Sequence, residues 1–292
     1  MPGFIDLHAH TNESDGSLAP GELVALAQRT ALAALAITDH DTFAGYEKAI
    51  GLARDGGLEL VRGIELNSRL HLGEDEAARY VHVLAYFPHD EPSADFQEWL
   101  HRQRADRRSR NRKLAQALQE RGVAITLEEV EARGRSLAGR PHFARILVEK
   151  GYAKNSDDAF RRYIGEEAPS YVQRASKTTE EVVRSIALSG GVPVIAHPIR
   201  IGLTPAQERE VLRHLKEAGL LGLEVYHSEH SAERQAHYRK LAEELELLPT
   251  GGSDFHGDVK PDISLGSGFH GNVRVPSVVL DGLRALRTMR RV

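Results

Sequence analysis

Phe4-Ile5-Asp6-Leu7-His8-Ala9-His10 opens the chain with a short apolar run that ends in two histidines one residue apart. In an extended segment successive side chains alternate between faces, so His8 and His10 point to the same side and can grip one cation. The same arrangement recurs downstream. Leu35 to Thr38 leads into Asp39-His40-Asp41, Leu58 to Val61 into Gly63-Ile64-Glu65, Val192 to Ala196 into His197-Pro198, and Leu247 to Pro249 into Gly252-Ser253-Asp254-Phe255-His256. Tyr80 to Tyr86 carries His82 inside it, and Leu221 to Tyr226 completes seven expected strands. Amphipathic stretches such as Glu22-Leu23-Val24-Ala25-Leu26-Ala27 lie between several of them. Alternation of this kind predicts an α/β barrel or a related parallel sheet, in which strand ends converge on one rim. A lone histidine in an apolar run is more often a hydrogen-bonded core residue than a ligand. Seven strands with a potential ligand at nearly every end are a different matter, and they predict a polynuclear metal site.

Working outward, the strand rhythm breaks between about Pro88 and Thr178, where charged, helix-like sequence takes over. Pro88-His89-Asp90-Glu91-Pro92 reads as an exit turn and Tyr171 to Thr179 as the return. The expected organisation is a first barrel part (residues 1–88), a mostly helical insertion that caps the substrate (89–179) and a second barrel part (180–292). Arg102, Arg104, Arg107, Arg108, Arg110, Arg112 and Lys113 make a basic helical segment in the insertion, read as a solvated face with phosphate contact as the alternative.

Composition limits the chemistry. The 292 residues are 41% hydrophobic and 27% charged, ordinary for a packed protein, and the formal net charge of -4 gives no bulk attraction to duplex DNA or to a membrane surface. With no cysteine, disulfides, thiolate nucleophiles and sulfur-ligated zinc are excluded, so any metal is held by nitrogen and oxygen. Mn²⁺, Zn²⁺ and Fe²⁺ suit such ligands. Neither a signal sequence nor an apolar run of membrane-spanning length is evident, and the expected location is cytoplasmic, with no obligate protein partner.

The blocks around His8-Ala9-His10, Asp39-His40, Glu65, His197 and Asp254-Phe255-His256, in this order, resemble the polymerase and histidinol phosphatase (PHP) superfamily. The resemblance covers roughly residues 1 to 88 and 180 to 270, and implies a distorted (β/α)7 barrel with two to three divalent metals, manganese favoured. Carried onto matching positions, it implies one metal on His8, His10, Glu65 and Asp254, a second on Glu65, His82 and His197, and a third on Asp15, His40 and His256. Asp15, in Ser14-Asp15-Gly16, owes this role to the resemblance, because an Asp in a turn before a helix is ordinarily a cap. A carboxylate such as Glu65 can bridge two cations, and two close cations would lower the pKa of a bridging water, so Glu65 and Asp254, with a metal-bridging hydroxide as nucleophile, are the expected catalytic groups.

Within the insertion, Gly139-Arg140-Pro141-His142-Phe143-Ala144-Arg145 and Phe160-Arg161-Arg162-Tyr163-Ile164-Gly165 resemble the PHP group that includes 3′,5′-nucleoside bisphosphate phosphatases and a 5′-end-trimming exoribonuclease. That resemblance implies phosphate-binding roles for Arg140 and His142. Arg200 is a further candidate, since a guanidinium fork can take two phosphate oxygens. The expected substrate is a nucleoside bisphosphate or short 5′-phosphorylated RNA. The alternatives are another phosphatase, such as one for histidinol phosphate, and a non-catalytic binding module. Glu224, Tyr226, His227, His230 and His270 are left unassigned, the histidines read as surface residues, and Asp262 to His270 as a mobile rim loop.

Overall fold

The computed structural model describes residues 3–73, 76–134, 138–173 and 177–286. In its first part β1 (Phe4–Ala9), α1 (Pro20–Arg29), β2 (Ala34–Ile37), α2 (Ala44–Asp55) and β3 (Glu59–Leu70) make two successive strand–helix–strand units, with both strand pairs parallel. β4 (Arg79–Tyr86) then folds back on β3 as an antiparallel arm, from Gly63 opposite Tyr86 to Leu70 opposite Arg79. Next come α3 (Ala94–Gln119), α4 (Leu127–Gly134), α5 (Arg140–Glu149) and α6 (Ser156–Ala159), the last running into a π-helical turn at Phe160–Ile164. α7 (Thr179–Leu188) leads to β5 (Val192–Ile195), antiparallel to β4, followed by α8 (Pro205–Glu217), β6 (Gly222–His227), α9 (Ala232–Glu244) and β7 (Leu248–Gly252), with β5, β6 and β7 parallel. A small hairpin of β8 (Ile263–Ser264) and β9 (Gly268–Phe269), then β10 (Val275–Pro276) on the free edge of β1 and α10 (Val278–Ala285), complete the described chain.

The eight-stranded sheet has the order β10-β1-β2-β3-β4-β5-β6-β7. It closes at the rim, where the Asp254 N–H donates to the His8 carbonyl at 2.8 Å and the His10 N–H to the Phe255 carbonyl at 2.9 Å. Gly252 permits that closure: a Cβ there would stand 2.3 Å from the His8 nitrogen. The architecture is thus the expected α/β barrel, and all seven apolar runs are strands. Two details differ. β3 continues to Leu70 because Leu66, Ser68 and Leu70 turn inward while Asn67 and Arg69 stay half-exposed, a period-2 pattern masked by polar residues. β4 is reversed, so its early residues reach the rim, which is why His82 sits in the first half of its strand rather than at its end.

Four apolar groupings hold this together. Ile5, Leu7, Leu84, Tyr86, Val194 and Val275 fill the barrel, where the Tyr86 hydroxyl is satisfied by the Leu7 carbonyl at 2.8 Å. A second cluster seats α7, α8 and α9 on the sheet, and a third packs α1 and α2 against β1 to β3. The fourth, built on Leu114, Leu118, Ile125, Val130, Phe143, Leu147 and Ile164, belongs to the helical layer from α3 through the π-helical turn and the residues just after it. At roughly 1.5–3 kcal/mol for each large side chain fully buried, this separate core holds the helical layer rigid enough to carry site residues. α7 starts with a reciprocal cap: Thr178 Oγ1 accepts from the Glu181 N–H at 3.2 Å, and Glu181 accepts from the Thr178 N–H at 2.9 Å. The Asp262 to His270 segment, expected as a mobile loop, is the β8–β9 hairpin, and the Gly266 N–H fastens it to Asp6 at 2.8 Å. The basic end, 287–292, lies outside the described residues.

Candidate metal centre

All nine side chains expected as metal ligands meet at the barrel rim. Glu65, 1% exposed, is the hub. Its Oε1 lies 2.7 Å from His82 Nδ1 and 2.9 Å from His197 Nε2, and its Oε2 lies 3.2 Å from His10 Nε2, 3.2 Å from His40 Nδ1 and 3.6 Å from His8 Nε2. Asp254 Oδ1 is 3.5 Å from His8 Nε2, His10 Nε2 and His256 Nδ1 alike. Asp15 faces His10 Nδ1 at 3.5 Å, His256 Nε2 at 3.4 Å and His40 Nε2 at 3.6 Å. Asp15 is not a cap, since α1 begins after Ala19.

Potential ligand atoms lie within 4.8 Å of one another in four triads: His8, Glu65 and His197; His8, His10 and Asp254; His10, His40 and Glu65; His10, Asp15 and His256. The second falls within the first set that the resemblance implies, whereas the first joins His8 of that set to His197 of the next. The last two differ because His40 turns Nδ1 toward Glu65, leaving Asp15 and His256 grouped with His10.

The electrostatics are those of a site short of positive charge. Burial raises a carboxyl pKa, yet His40, His82 and His8 hold Glu65 well below its ordinary value, and Lys260, His256 and His8 do the same for Asp254. Against burial, Glu224, Glu65 and Asp254 push His8 well above the usual imidazole range, while Asp254 and Glu65 push His10 up to about 9. Burial depresses His40 to about 4. The chain thus neutralises buried carboxylates with protons on His8 and His10. Nevertheless His8 Nε2, His10 Nε2 and His40 Nδ1 are buried without a properly directed hydrogen bond. Neutral imidazoles around buried carboxylates fit divalent cations, which would replace those protons.

The backbone is strained at two of these positions, with φ of 27° at His197 and 56° at Asp254, the left-handed region that non-glycine residues avoid. Each lies two residues past the end of a strand, β5 or β7, with the Asp254 N–H held by the His8 carbonyl and the His197 N–H by the Glu224 carboxylate.

Several site residues escaped the sequence reading. Glu224, fully buried on β6, accepts from His8 Nδ1 at 2.9 Å and from the His197 N–H at 2.6 Å, so it fixes His8 with Nε2 facing the site. Asp39 is held behind His10 and Asp15 by Thr11 and Ser14, and Asp6 is held behind His8 by Ser253. His227 and His230, expected at the surface, are 0% and 1% exposed. β6 carries His227 inward, with Nε2 3.5 Å from Asp254 Oδ2, and His230 packs on Tyr238 with Nδ1 on the Val225 carbonyl at 2.8 Å. His270 is exposed as expected.

A cleft of about 830 Å³ opens from Asp15, His40 and His82 and is walled by the helical layer. Arg140 and His142, at the start of α5, line it, and His142 Nδ1 accepts from the Gly139 N–H at 3.1 Å. Arg107 and Arg110 line it too, correcting the solvated reading for part of the basic helix. Arg107 is buried on Asp41, whereas Arg102 and Arg108 remain at the surface with Glu98 and Glu131. Arg107 shares a helical face with Asn111, Leu114 and Leu118, a spacing of four, three and four that could have revealed it. Arg200 lies elsewhere at the rim. Its fork is taken by Glu229, at 2.8 and 2.5 Å, and by Asp254 at 2.9 Å.

Comparison with known proteins shows what the chain is similar to. The sequence profile of the PHP domain family matches residues 6–181, so it runs through the helical layer as well as the first barrel part. The chain is 30% identical over 256 residues to a 5′-3′ exoribonuclease of Haemophilus influenzae, covering 88% of this chain and 91% of that protein. It is 30% identical over 254 residues to a 3′,5′-nucleoside bisphosphate phosphatase of Chromobacterium violaceum, covering 86% and 87%. Among solved structures, an amidohydrolase from Chromobacterium violaceum with bound sulfate and no metal superimposes with a TM-score of 0.80 at 29% identity, over 97% of both chains. A candidate metal-dependent phosphoesterase from Bifidobacterium adolescentis does so with a TM-score of 0.79 at 32% identity, over 96% of this chain and 94% of that one.

Proposed function

The chain belongs to the PHP domain family of metal-dependent phosphoesterases, and from that premise we propose that it hydrolyses phosphate esters of 3′,5′-nucleoside bisphosphates or of short 5′-phosphorylated RNA. The observation that carries the reading is Glu65, whose two oxygens meet five imidazoles on two sides and so suit a carboxylate shared between cations. His8, His10 and Asp254 would hold one cation with Glu65, His82 and His197 a second, and Asp15, His40 and His256 a third; manganese is the metal we favour. Such cations, when bound, supply Lewis acidity that ionises water near neutral pH and neutralises phosphoryl oxygens.

The remaining work falls to the chain. Glu65 and Asp254, kept ionised by their neighbours, anchor the centre, and Glu224 keeps His8 in the tautomer that offers Nε2 to it. Arg140 and His142 would take the substrate's phosphate oxygens, with Arg107 and Arg110 adding positive potential along the same wall. Arg200 fits a different task from the phosphate clamp first expected: with its fork on Glu229 and Asp254, it positions Asp254. The helical residues 89–179 would act as the substrate cap between barrel parts 1–88 and 180–292. A small amino alcohol phosphate, as in the histidinol phosphate alternative, makes no use of three guanidinium groups. As to location, no described helix is long and apolar enough to cross a membrane.

Phosphate release in the presence of manganese tests the proposal, with adenosine 3′,5′-bisphosphate and 5′-phosphorylated oligoribonucleotides as substrates. Turnover of either is expected. Failure on both refutes the substrate claim.

A further inference from the structure

Three aromatic rings, Tyr80, Phe160 and Tyr171, share the cleft that opens from the metal-ligand cluster, although aromatic residues make up only 6% of the chain. Tyr80 stands two residues before His82 on β4, hence on the same face of the strand, which sets its ring beside a candidate ligand. Phe160 opens the π-helical turn that follows α6, and the wider turn there is a feature that tends to accompany binding sites. All three rings are half-buried.

The polar tips of the two tyrosines are already engaged. The Tyr80 and Tyr171 hydroxyls lie 3.0 Å apart, and Tyr171 also receives a hydrogen bond from Arg69 at 3.1 Å and donates to Glu166 at 3.2 Å. Arg69 covers Tyr80 at 3.5 Å from the ring centroid, so Tyr80 acts as a buttress. What Phe160 and Tyr171 offer the cleft is therefore apolar ring surface. Arg140 stands near all three rings, its guanidinium carbon 5.2 Å from the Tyr80 ring centroid, 5.8 Å from that of Phe160 and 5.9 Å from that of Tyr171. A ligand held there meets a fork for phosphate oxygens and, beside it, ring faces for a flat group.

We propose that Phe160 and Tyr171 form a stacking platform for the nucleobase of the substrate, next to the phosphate held by Arg140. This rests on the phosphate-ester reading above and narrows it. Because the platform works through ring faces and the hydroxyls are tied to Arg69, Glu166 and each other, it accepts purines and pyrimidines alike and disfavours a phosphate ester that lacks a base.

The test compares adenosine 3′,5′-bisphosphate with an abasic sugar 3′,5′-bisphosphate in manganese-dependent phosphate release, alongside quenching of a 2-aminopurine riboside 3′,5′-bisphosphate on binding. Wild-type protein is expected to favour the nucleoside over the abasic compound by roughly tenfold in kcat/KM, the scale of one stacked base, and to quench the probe. Phe160→Leu and Tyr171→Leu should shrink that ratio through KM and weaken the quenching, and Tyr171→Phe, which restores the ring, should rescue both. No wild-type preference, or a ratio and quenching untouched by both leucine variants, overturns the platform. Should wild-type protein release phosphate from neither compound, the substrate reading falls and the quenching alone decides: loss in the leucine variants supports the platform, and its absence or persistence overturns it.

Discussion

Replacing Glu224 by Gln should weaken metal binding without disturbing the fold. One carboxylate oxygen of Glu224 receives the His197 N–H at 2.6 Å and the other faces His8 Nδ1 at 2.9 Å, both in a fully buried setting. A backbone N–H can only donate, so the amide oxygen of Gln takes that position and its NH2 group faces His8. His8 must then accept at Nδ1 and carry its proton on Nε2, the nitrogen 3.6 Å from Glu65 and 3.5 Å from Asp254. That tautomer has no lone pair for a cation. If the amide flips instead, two donors face each other and the His197 N–H is left unsatisfied. A buried unsatisfied donor costs about 1–3 kcal/mol, which is roughly 5- to 150-fold in affinity and overlaps the roughly 10- to 100-fold loss typical of residues that orient a metal-binding imidazole. Calorimetric titration of metal-free protein with Mn²⁺ measures it, and a thermal melt checks the fold. An affinity within twofold of wild type, in a folded variant, would refute either the tautomer argument or the place of His8 at the centre.

Three further outcomes follow from the same geometry. Glu65→Gln should bring phosphate release to background with the fold retained, and wild-type rates in that variant would contradict a shared carboxylate. Because His8 and His10 lie above the ordinary imidazole range, His10 at about 9, both are protonated at neutral pH in the metal-free protein; metal binding at pH 7.5 should therefore release protons, and less so above pH 9, as calorimetry in buffers of different ionisation enthalpy would show. His230 is driven down to about 4 by burial from an ordinary 6.5, so its neutral form belongs to the fold. Its contribution is complete above pH 6.5 and is lost as pH falls toward 4, amounting to about 2 kcal/mol at pH 5; denaturant unfolding at pH 7.5 and 5 should show that loss in wild type and less of it in His230→Gln.

The barrel was legible because each buried strand writes itself as a short apolar run, and the site was legible because a cation needs residue types that rarely end such runs together. His8-Ala9-His10 and Asp254-Phe255-His256 are local patterns with local meaning. The direction of β4 is not local: Tyr80 to Tyr86 reads the same whether it pairs parallel or antiparallel, so His82 stood out of step with the other strands. Glu224 was left unassigned for a similar reason, since its partners His8 and His197 are distant in sequence and a single carboxylate within an apolar strand has no signature of its own. His227 was read as surface, whereas the register of β6 against β7 shifts between Glu224 and Tyr226, so that His227, three residues after the inward Glu224, turns inward as well. Arg107 and Arg110 were hidden by the neighbouring arginines, and the helical face shared with Asn111 and Leu114 separates them from Arg102 and Arg108.

Diffraction from crystals of the protein grown with Mn²⁺, collected at the manganese absorption edge, tests the central claim most directly. The account predicts at least two anomalous peaks against Glu65, one on the side of His8, His10 and Asp254 and one on the side of His82 and His197. Density free of such peaks there, with manganese bound elsewhere or not at all, would contradict it.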